Sequence, residues 1–241
     1  MIDAIAPAPD DRFIEIGPGP GILTSRLAAR AAQVTAIEID RDLAVALGPR
    51  VPPNVEIVTA DVIDVDLSPL LAAGPVRVAG NLPYNISSPI LFKLLAASRA
   101  SPNLRDATVM LQREVADRLA ARVGTKEYGV LTILAGLQAT VERRLVLPPG
   151  AFRPAPKVQS AVVRLTFKPS IVPPDLERLF DRMVKTLFMQ RRKTLLNALR
   201  PFAESRQRNS ASVLAAAGID PQRRPETLAT EELLRLVQVV L

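Results

Sequence analysis

Apolar residues in the first half of the chain fall into short runs that each stop at a glycine or a polar side chain. Residues 13–16, 34–37, 55–60 and 76–79 are such runs, leading into Gly17, Glu38, Asp61 and Asn81. Run ends recurring near 16, 38, 60 and 80, with helical or loop returns between them, predict βαβ units and a parallel sheet. Polar residues then gather at the carboxyl ends of its strands. Helical spacing is present at 22–32, where Leu23, Leu27 and Ala31 share a face, and helices are also expected at 41–48 and 87–97. Further along, 107–111 predicts a strand, 112–122 a helix with a charged face, 124–129 a loop and 128–138 an apolar helix. Two more strands are expected at 140–147 and 161–167. After a Pro-containing linker at 168–174 the pattern is helical: 175–189, 191–202, 210–217 with Gly218 as its stop, and 230–240 capped by Thr230. The expected architecture is an α/β domain over 1–168 and a small all-helical domain over 175–241.

Composition narrows the chemistry. The chain of 241 residues contains no Cys and no His, which removes disulfides, thiolate nucleophiles, imidazole acid–base work and most zinc sites. Carboxylates, amides, hydroxyls, Lys or Arg, backbone groups and a bound cofactor remain. No apolar run approaches the ~18 residues of a membrane span, and the first twelve residues do not resemble a signal peptide, so a soluble cytoplasmic protein is expected. The net charge of +7 is uneven: residues 168–241 carry 13 Lys and Arg against 8 Asp and Glu. Seven of those cations fall within 185–208, opposed by Glu204 alone, a density that suits a polyphosphate footprint.

Two stretches suit ligand binding. Gly17-Pro18-Gly19-Pro20-Gly21 lies between a strand and a helix, where glycines let a ligand approach the backbone and the helix start offers free N–H groups. The spacing is G-x-G-x-G and Pro20 replaces an amide, which weakens a pyrophosphate cradle; a dinucleotide site is the alternative for this motif alone. Glu38, 17 positions beyond Gly21, stands where an acid meets ribose hydroxyls in such folds. The second stretch, Asn81-Leu82-Pro83-Tyr84, combines an amide acceptor, a fixed turn and a stacking ring, a set that can hold a flat base by its exocyclic amine. The simpler reading is a strand-to-helix turn with a packed Tyr.

Together, the stretch from Glu15 to Thr24, Glu38-Ile39-Asp40, Ala60-Asp61, and the stretch from Asn81 to Pro89 resemble the ordered motifs of the ribosomal RNA adenine N6,N6-dimethyltransferases. The segment from Ala151 to Ser160 and the run from Arg191 to Asn197 resemble further segments of that family, so the likeness covers nearly the whole chain. It is greatest to the bacterial small-subunit (16S) branch, the kasugamycin-resistance enzymes. The resemblance implies a Rossmann-like class I methyltransferase sheet with S-adenosylmethionine as cofactor. It places Glu15, Gly17, Gly19, Glu38, Ile39, Asp61, Val62 and Asn81 around that cofactor. Gly17 and Gly19 would lie beside its methionine part, Glu38 on its ribose, Ile39 on its adenine and Asp61 at its adenine amine. Asn81, the Leu82 carbonyl, Tyr84 and Phe152 would hold and activate the target adenine, and Arg191, Arg192 and Lys193 would contact RNA.

The implied activity is N6-dimethylation of adenines in 16S rRNA within an immature small subunit, by a monomer that needs no metal. The alternatives are the same chemistry on another nucleic acid, such as large-subunit rRNA, or a ribosome-assembly factor with weak catalysis. One departure stands out. The family's basic Gly-Gln-Asn/His-Phe segment, which helps close the cofactor site, has no match here. Either the true start lies upstream, or this chain works without that lid.

Overall fold

The computed structural model describes residues 1–151 and 157–241. Seven strands form one sheet: β1 (Arg12–Ile16), β2 (Gln33–Glu38), β3 (Val55–Thr59), β4 (Val76–Asn81), β5 (Leu104–Gln112), β6 (Ala139–Leu147) and β7 (Ser160–Phe167). Their order is β3-β2-β1-β4-β5-β7-β6. The first five are parallel to one another, while β7 runs antiparallel to both β5 and β6. Helices α1 (Ile2–Ile5), α2 (Ile22–Ala28), α3 (Arg41–Leu47), α4 (Ser68–Ala72), α5 (Ser87–Ala100), α6 (Arg113–Leu119) and α7 (Val130–Gln138) accompany the sheet in sequence. The chain ends in α8 (Glu177–Met189), α9 (Leu195–Glu204), α10 (Ser210–Ala216) and α11 (Thr230–Val240). This is the expected Rossmann-like α/β class with a helical C-terminal part. No helix among the described residues is long and apolar enough to cross a membrane.

The strand order reverses between β1 and β4. The chain builds outward from β1 to β2 and β3, then returns to lay β4 on the other side of β1, opening a crevice above the carboxyl ends of these two strands. Contact there is close. Ile16 pairs with Gly80, and a Cβ on Gly80 would lie 2.5 Å from the Ile16 carbonyl oxygen, so only glycine fits. At the far side of the sheet, Leu147 and Ser160 are direct partners in the β6–β7 ladder.

The opposite end of the sheet is fastened by charge. Arg77, near the start of β4, donates to Asp11 at 2.6 Å, to Asp106 on β5 at 3.1 Å, and to the carbonyls of Ile5 and Ala6 at 2.6 and 3.1 Å. Its guanidinium also lies 5.1 Å from the centre of the Phe13 ring. Arg164 on β7 reaches the same Asp106 at 2.7 Å. A buried guanidinium is tolerable because its donors are matched by acceptors in a fixed fork.

The chain divides into two compact units, Met1–Asp117 with Gln138–Pro169, and Arg118–Leu137 with Ser170–Leu241. A single cut between 168 and 175 therefore misplaces the segment 118–137. That segment is bound to the C-terminal helices by Tyr128, which is buried, donates its hydroxyl to the Leu228 carbonyl at 2.9 Å and meets Phe188 edge-on at 6.0 Å between ring centres. Phe180, Met183, Val184 and Leu187 line the buried face of α8 at helical spacing and centre this unit's core. Two local expectations also change. Residues 190–194 form a turn rather than the first turn of a helix, with Thr194 extended ahead of α9. Ala229, not Thr230, precedes α11, and Glu232 reaches back to accept from its N–H at 2.9 Å.

Asp106→Ala should remove the carboxylate shared by the buried Arg77 and the partly buried Arg164 and lower unfolding free energy by about 3 kcal/mol, whereas Arg77→Met, which leaves Asp106 paired with Arg164, should cost less. Urea denaturation of the two variants checks the ranking; equal losses would show that the carboxylate is not the centre of the network.

Candidate active site

The site begins where β1 runs out. Gly17, Gly19 and Gly21 take φ of 67°, 53° and 84°, a region that L side chains rarely adopt, so the turn requires glycine. Hydrogen bonds from Gly21 N–H to the Pro18 carbonyl and from Gly17 N–H to the Ile37 carbonyl, both 3.0 Å, hold it against β2. A Cβ at Gly19 would meet nothing within 4 Å, so the turn presents open backbone. A Cβ at Gly17 would stand 3.6 Å from the Asn81 carbonyl oxygen. With Ile16 paired to Gly80, the glycine turn and the end of β4 leave the sheet side by side at the switch point.

Glu38 closes β2 and is buried. One carboxylate oxygen accepts from Gly19 N–H and the other from Asp40 N–H, both at 3.0 Å. A carboxylate has about four acceptor positions, so two hydroxyl donors can still be received. Glu38 thus shapes the glycine turn and keeps acceptor capacity beyond it. Ile39 beside it is 62% exposed, an uncovered apolar side chain next to a polar crevice. Asp61 follows β3; its Oδ1 accepts from Ile63 N–H at 2.8 Å, and Val62 is buried behind it.

Asn81 is the exposed last residue of β4. Leu82 is buried and extends the ladder by donating to the Met110 carbonyl at 2.9 Å, after which Pro83 turns the chain and its carbonyl accepts from Ile86 N–H at 3.2 Å. Tyr84 is half-buried, and its hydroxyl lies 2.6 Å from Ser160 Oγ at the start of β7. Its ring is therefore tethered at both ends, by the Pro83 turn and by β7. Phe152 lies outside the described residues.

Glu15 supplies the unusual electrostatics. It is 1% exposed, and both its Oε2 and the neighbouring Thr24 Oγ1 lack a hydrogen-bond partner among the described residues. Burial pushes this carboxyl up to about 7; the Thr24 hydroxyl eases the shift and the Glu38 charge adds to it. Ala36 and Ala79, its strand neighbours, bring no charge.

The model of the family described as "Ribosomal RNA adenine dimethylase" matches residues 1–240. The chain belongs to the ribosomal RNA adenine dimethylase family. Among curated relatives, the ribosomal RNA small subunit methyltransferase A of Acidithiobacillus ferrooxidans is 41% identical over 241 residues, covering 99% of this chain and 87% of that protein. Its namesake from Myxococcus xanthus is 45% identical over 235 residues, covering 96% and 82%. Among solved structures, a dimethyladenosine transferase from Plasmodium falciparum superposes with a TM-score of 0.76 at 27% identity, over 98% of this chain and 91% of that one. The 23S rRNA methyltransferase ErmE gives 0.70 at 29% identity, over 99% and 94%.

Set against the residues expected of an adenine dimethylase, the structure brings Glu15, Gly17, Gly19, Glu38 and Asn81 together around one crevice. The basic trio divides. Arg191 donates to the carbonyls of Lys126 and Thr125 at 2.6 and 2.8 Å and approaches Glu226 at 3.9 Å. It fastens the loop before α7, whereas Arg192 and Lys193 are exposed. Thr24 and Ser160 were missed as participants. Both lie inside the family-like stretches, but only the fold shows that Thr24 faces Glu15 and that Ser160 meets Tyr84.

The raised value at Glu15 lies above its unfolded value of 4.5, so the folded chain holds the extra proton and stability falls as pH rises from 4.5 to about 7. Glu15→Gln should remove this slope and gain on the order of 1–3 kcal/mol at pH 8 relative to the parent chain. Urea denaturation in the absence of ligand, from pH 5 to 8, checks it; parallel pH profiles would mean that Glu15 is already ionised.

Proposed function

We propose that this chain uses S-adenosylmethionine to dimethylate N6 of adenines in small-subunit (16S) rRNA, acting on the immature particle. The observation that carries the reading is the pairing of Ile16 with Gly80, after which the two strands run into Gly17 and Asn81 as neighbours. It supports a crevice with an open glycine turn on one side and the amide–proline–tyrosine set on the other. The small-subunit target is favoured over a large-subunit one by the relatives at 41 and 45% identity, against 29% for the 23S enzyme.

The residues present fit the cofactor. Glu38 has acceptor capacity left for ribose hydroxyls, Ile39 offers an uncovered apolar face for adenine, and Asp61 can accept from the adenine amine. The orphaned Glu15 carboxyl and the Gly17–Gly19 backbone suit the methionine part. When bound, S-adenosylmethionine supplies an electrophilic methyl group on a sulfonium.

The chain's own contribution is placement. An adenine amine is a poor nucleophile because its lone pair is delocalised into the ring, so acceptors that favour a tetrahedral nitrogen lower the barrier. The Asn81 side-chain carbonyl and the Leu82 main-chain carbonyl accept the amine N–H groups as positive charge develops. Tyr84, tethered through Ser160, offers its ring to the base face, and Phe152 is proposed for the other. No strong base is needed. A proton can leave to water after transfer, in keeping with a chain that has no His. A monomethylated amine keeps one N–H, so the same acceptors can serve a second transfer.

Single-turnover transfer of labelled methyl groups to immature small subunits tests the reading. Asn81→Ala should slow transfer by about 100-fold or more, far more than it lowers RNA or cofactor affinity. A parent chain that binds the particle but transfers nothing would instead indicate an assembly factor. Neutralising Arg192 and Lys193 together should weaken RNA binding and reduce the salt slope by about 1–2, while Arg191→Ala acts through the 124–128 loop. Filter binding across a salt series checks this; an unchanged slope in the double variant would move the RNA contact elsewhere.

A further inference from the structure

Lys93 stands on α5, the helix that starts just after Tyr84, and its ammonium is committed to the loop that follows β3. It donates to the carbonyls of Ile63 at 2.6 Å and Val65 at 2.5 Å. That loop is wound around Asp61. The Asp61 side chain accepts from Ile63 N–H at 2.8 Å, and its main-chain carbonyl accepts from Asp64 and Val65 N–H at 2.9 and 3.1 Å. With those N–H groups turned inward, the carbonyls of residues 63 and 65 face out and converge on one cation. Lys93 and both carbonyls are partly buried, where water replaces such bonds poorly.

The placement matters because β3 is the edge strand while β4, which leads into α5, lies on the far side of β1 and β2. Hydrogen bonds in the sheet do not link the end of β3 to the end of β4. Lys93 does. At one end α5 is joined to the Asn81–Tyr84 turn, since Ile86 N–H donates to the Pro83 carbonyl and Ile90 N–H to the Ile86 carbonyl. One turn further along, the same helix grips the loop carrying Asp61 and Val62.

We propose that Lys93 is a positioning residue that sets Asp61 and Val62 against the cofactor's adenine, tying adenine recognition to the helix that begins at the target-base turn. The inference rests on the S-adenosylmethionine reading above. An ammonium with two carbonyl partners fixes the turn in two directions. A neutral side chain of equal length fills the space but leaves the loop free to shift, and with it the Asp61 oxygen that would accept from the adenine amine.

The test is calorimetric binding of S-adenosylhomocysteine and its inosine analogue, which has a carbonyl where adenine has its amine. Both ligands are titrated into the parent chain, Lys93→Met and Lys93→Arg. Lys93→Met should lose about tenfold in affinity for the adenosyl ligand and less than about twofold for the inosyl one, so the preference for adenine collapses. Lys93→Arg, which keeps charge and donors, should restore most of it. If Lys93→Met does not fold, Lys93→Gln takes its place and must show the same selective loss. An unchanged preference, with both affinities intact or both falling together, overturns the proposal and leaves Lys93 a general fastening. A parent chain that binds neither ligand overturns the cofactor reading itself.

Discussion

Arg77 spends its guanidinium on Asp11, Asp106 and the carbonyls of Ile5 and Ala6, and the sheet's arrangement follows from that commitment. A buried cation of this size is stable only if its acceptors arrive in fixed directions, which requires α1, the entry to β1, and the starts of β4 and β5 to meet at one point. With the amino ends of the central strands pinned, the carboxyl ends are determined by strand length. Gly17 and Asn81 emerge where they do because β1 and β4 leave that anchored end together, and Glu38 follows because β2 is paired in register with β1. The contrast between the two ends is chemical. At the amino ends Arg77 meets Asp11 and Asp106 as ion pairs, whereas towards the open end the buried Glu15 carboxyl has no cation against it among the described ion pairs.

Glu38 is the counterpart of Arg77 at the open end. By accepting from Gly19 and Asp40, it fixes a turn that has few side-chain contacts of its own and is built from residues with much backbone freedom to lose. Pre-arranging that turn before any ligand arrives removes an ordering cost from binding. A residue expected to contact ribose therefore also contributes by holding the wall of the site.

Much of this was legible in the sequence because strand ends are punctuated. Apolar runs that stop at Gly17, Glu38, Asp61 and Asn81 locate the crevice residues without any knowledge of strand order. The order itself, and the reversal of β7, depend on pairing partners far apart in the chain, which periodicity does not encode. The segment 118–137 illustrates the limit. Its apolar helix α7 reads the same beside a sheet or among helices, and contacts far apart in the chain, such as the bond from Tyr128 to Leu228, 100 residues away, assign it to the C-terminal unit. Arg191 is a second case. Composition counts it with Arg192 and Lys193, yet its donors are engaged by Lys126 and Thr125, and nothing in a run of cations distinguishes a paired guanidinium from a free one.

The β6–β7 ladder ends at Leu147 and Ser160 facing each other, so the chain leaves the sheet and returns to it at a single rung. Residues 148–159 are thus a closed excursion whose two ends stay together whatever lies between. For such an excursion, doubling the number of residues costs only about 0.6 kcal/mol in closure entropy. Insertions and deletions there leave the strands, the Arg77 anchor and the seat of Tyr84 on Ser160 nearly untouched. In evolutionary terms, this is a part of the chain whose length can drift at almost no thermodynamic penalty to the sheet that holds its two ends.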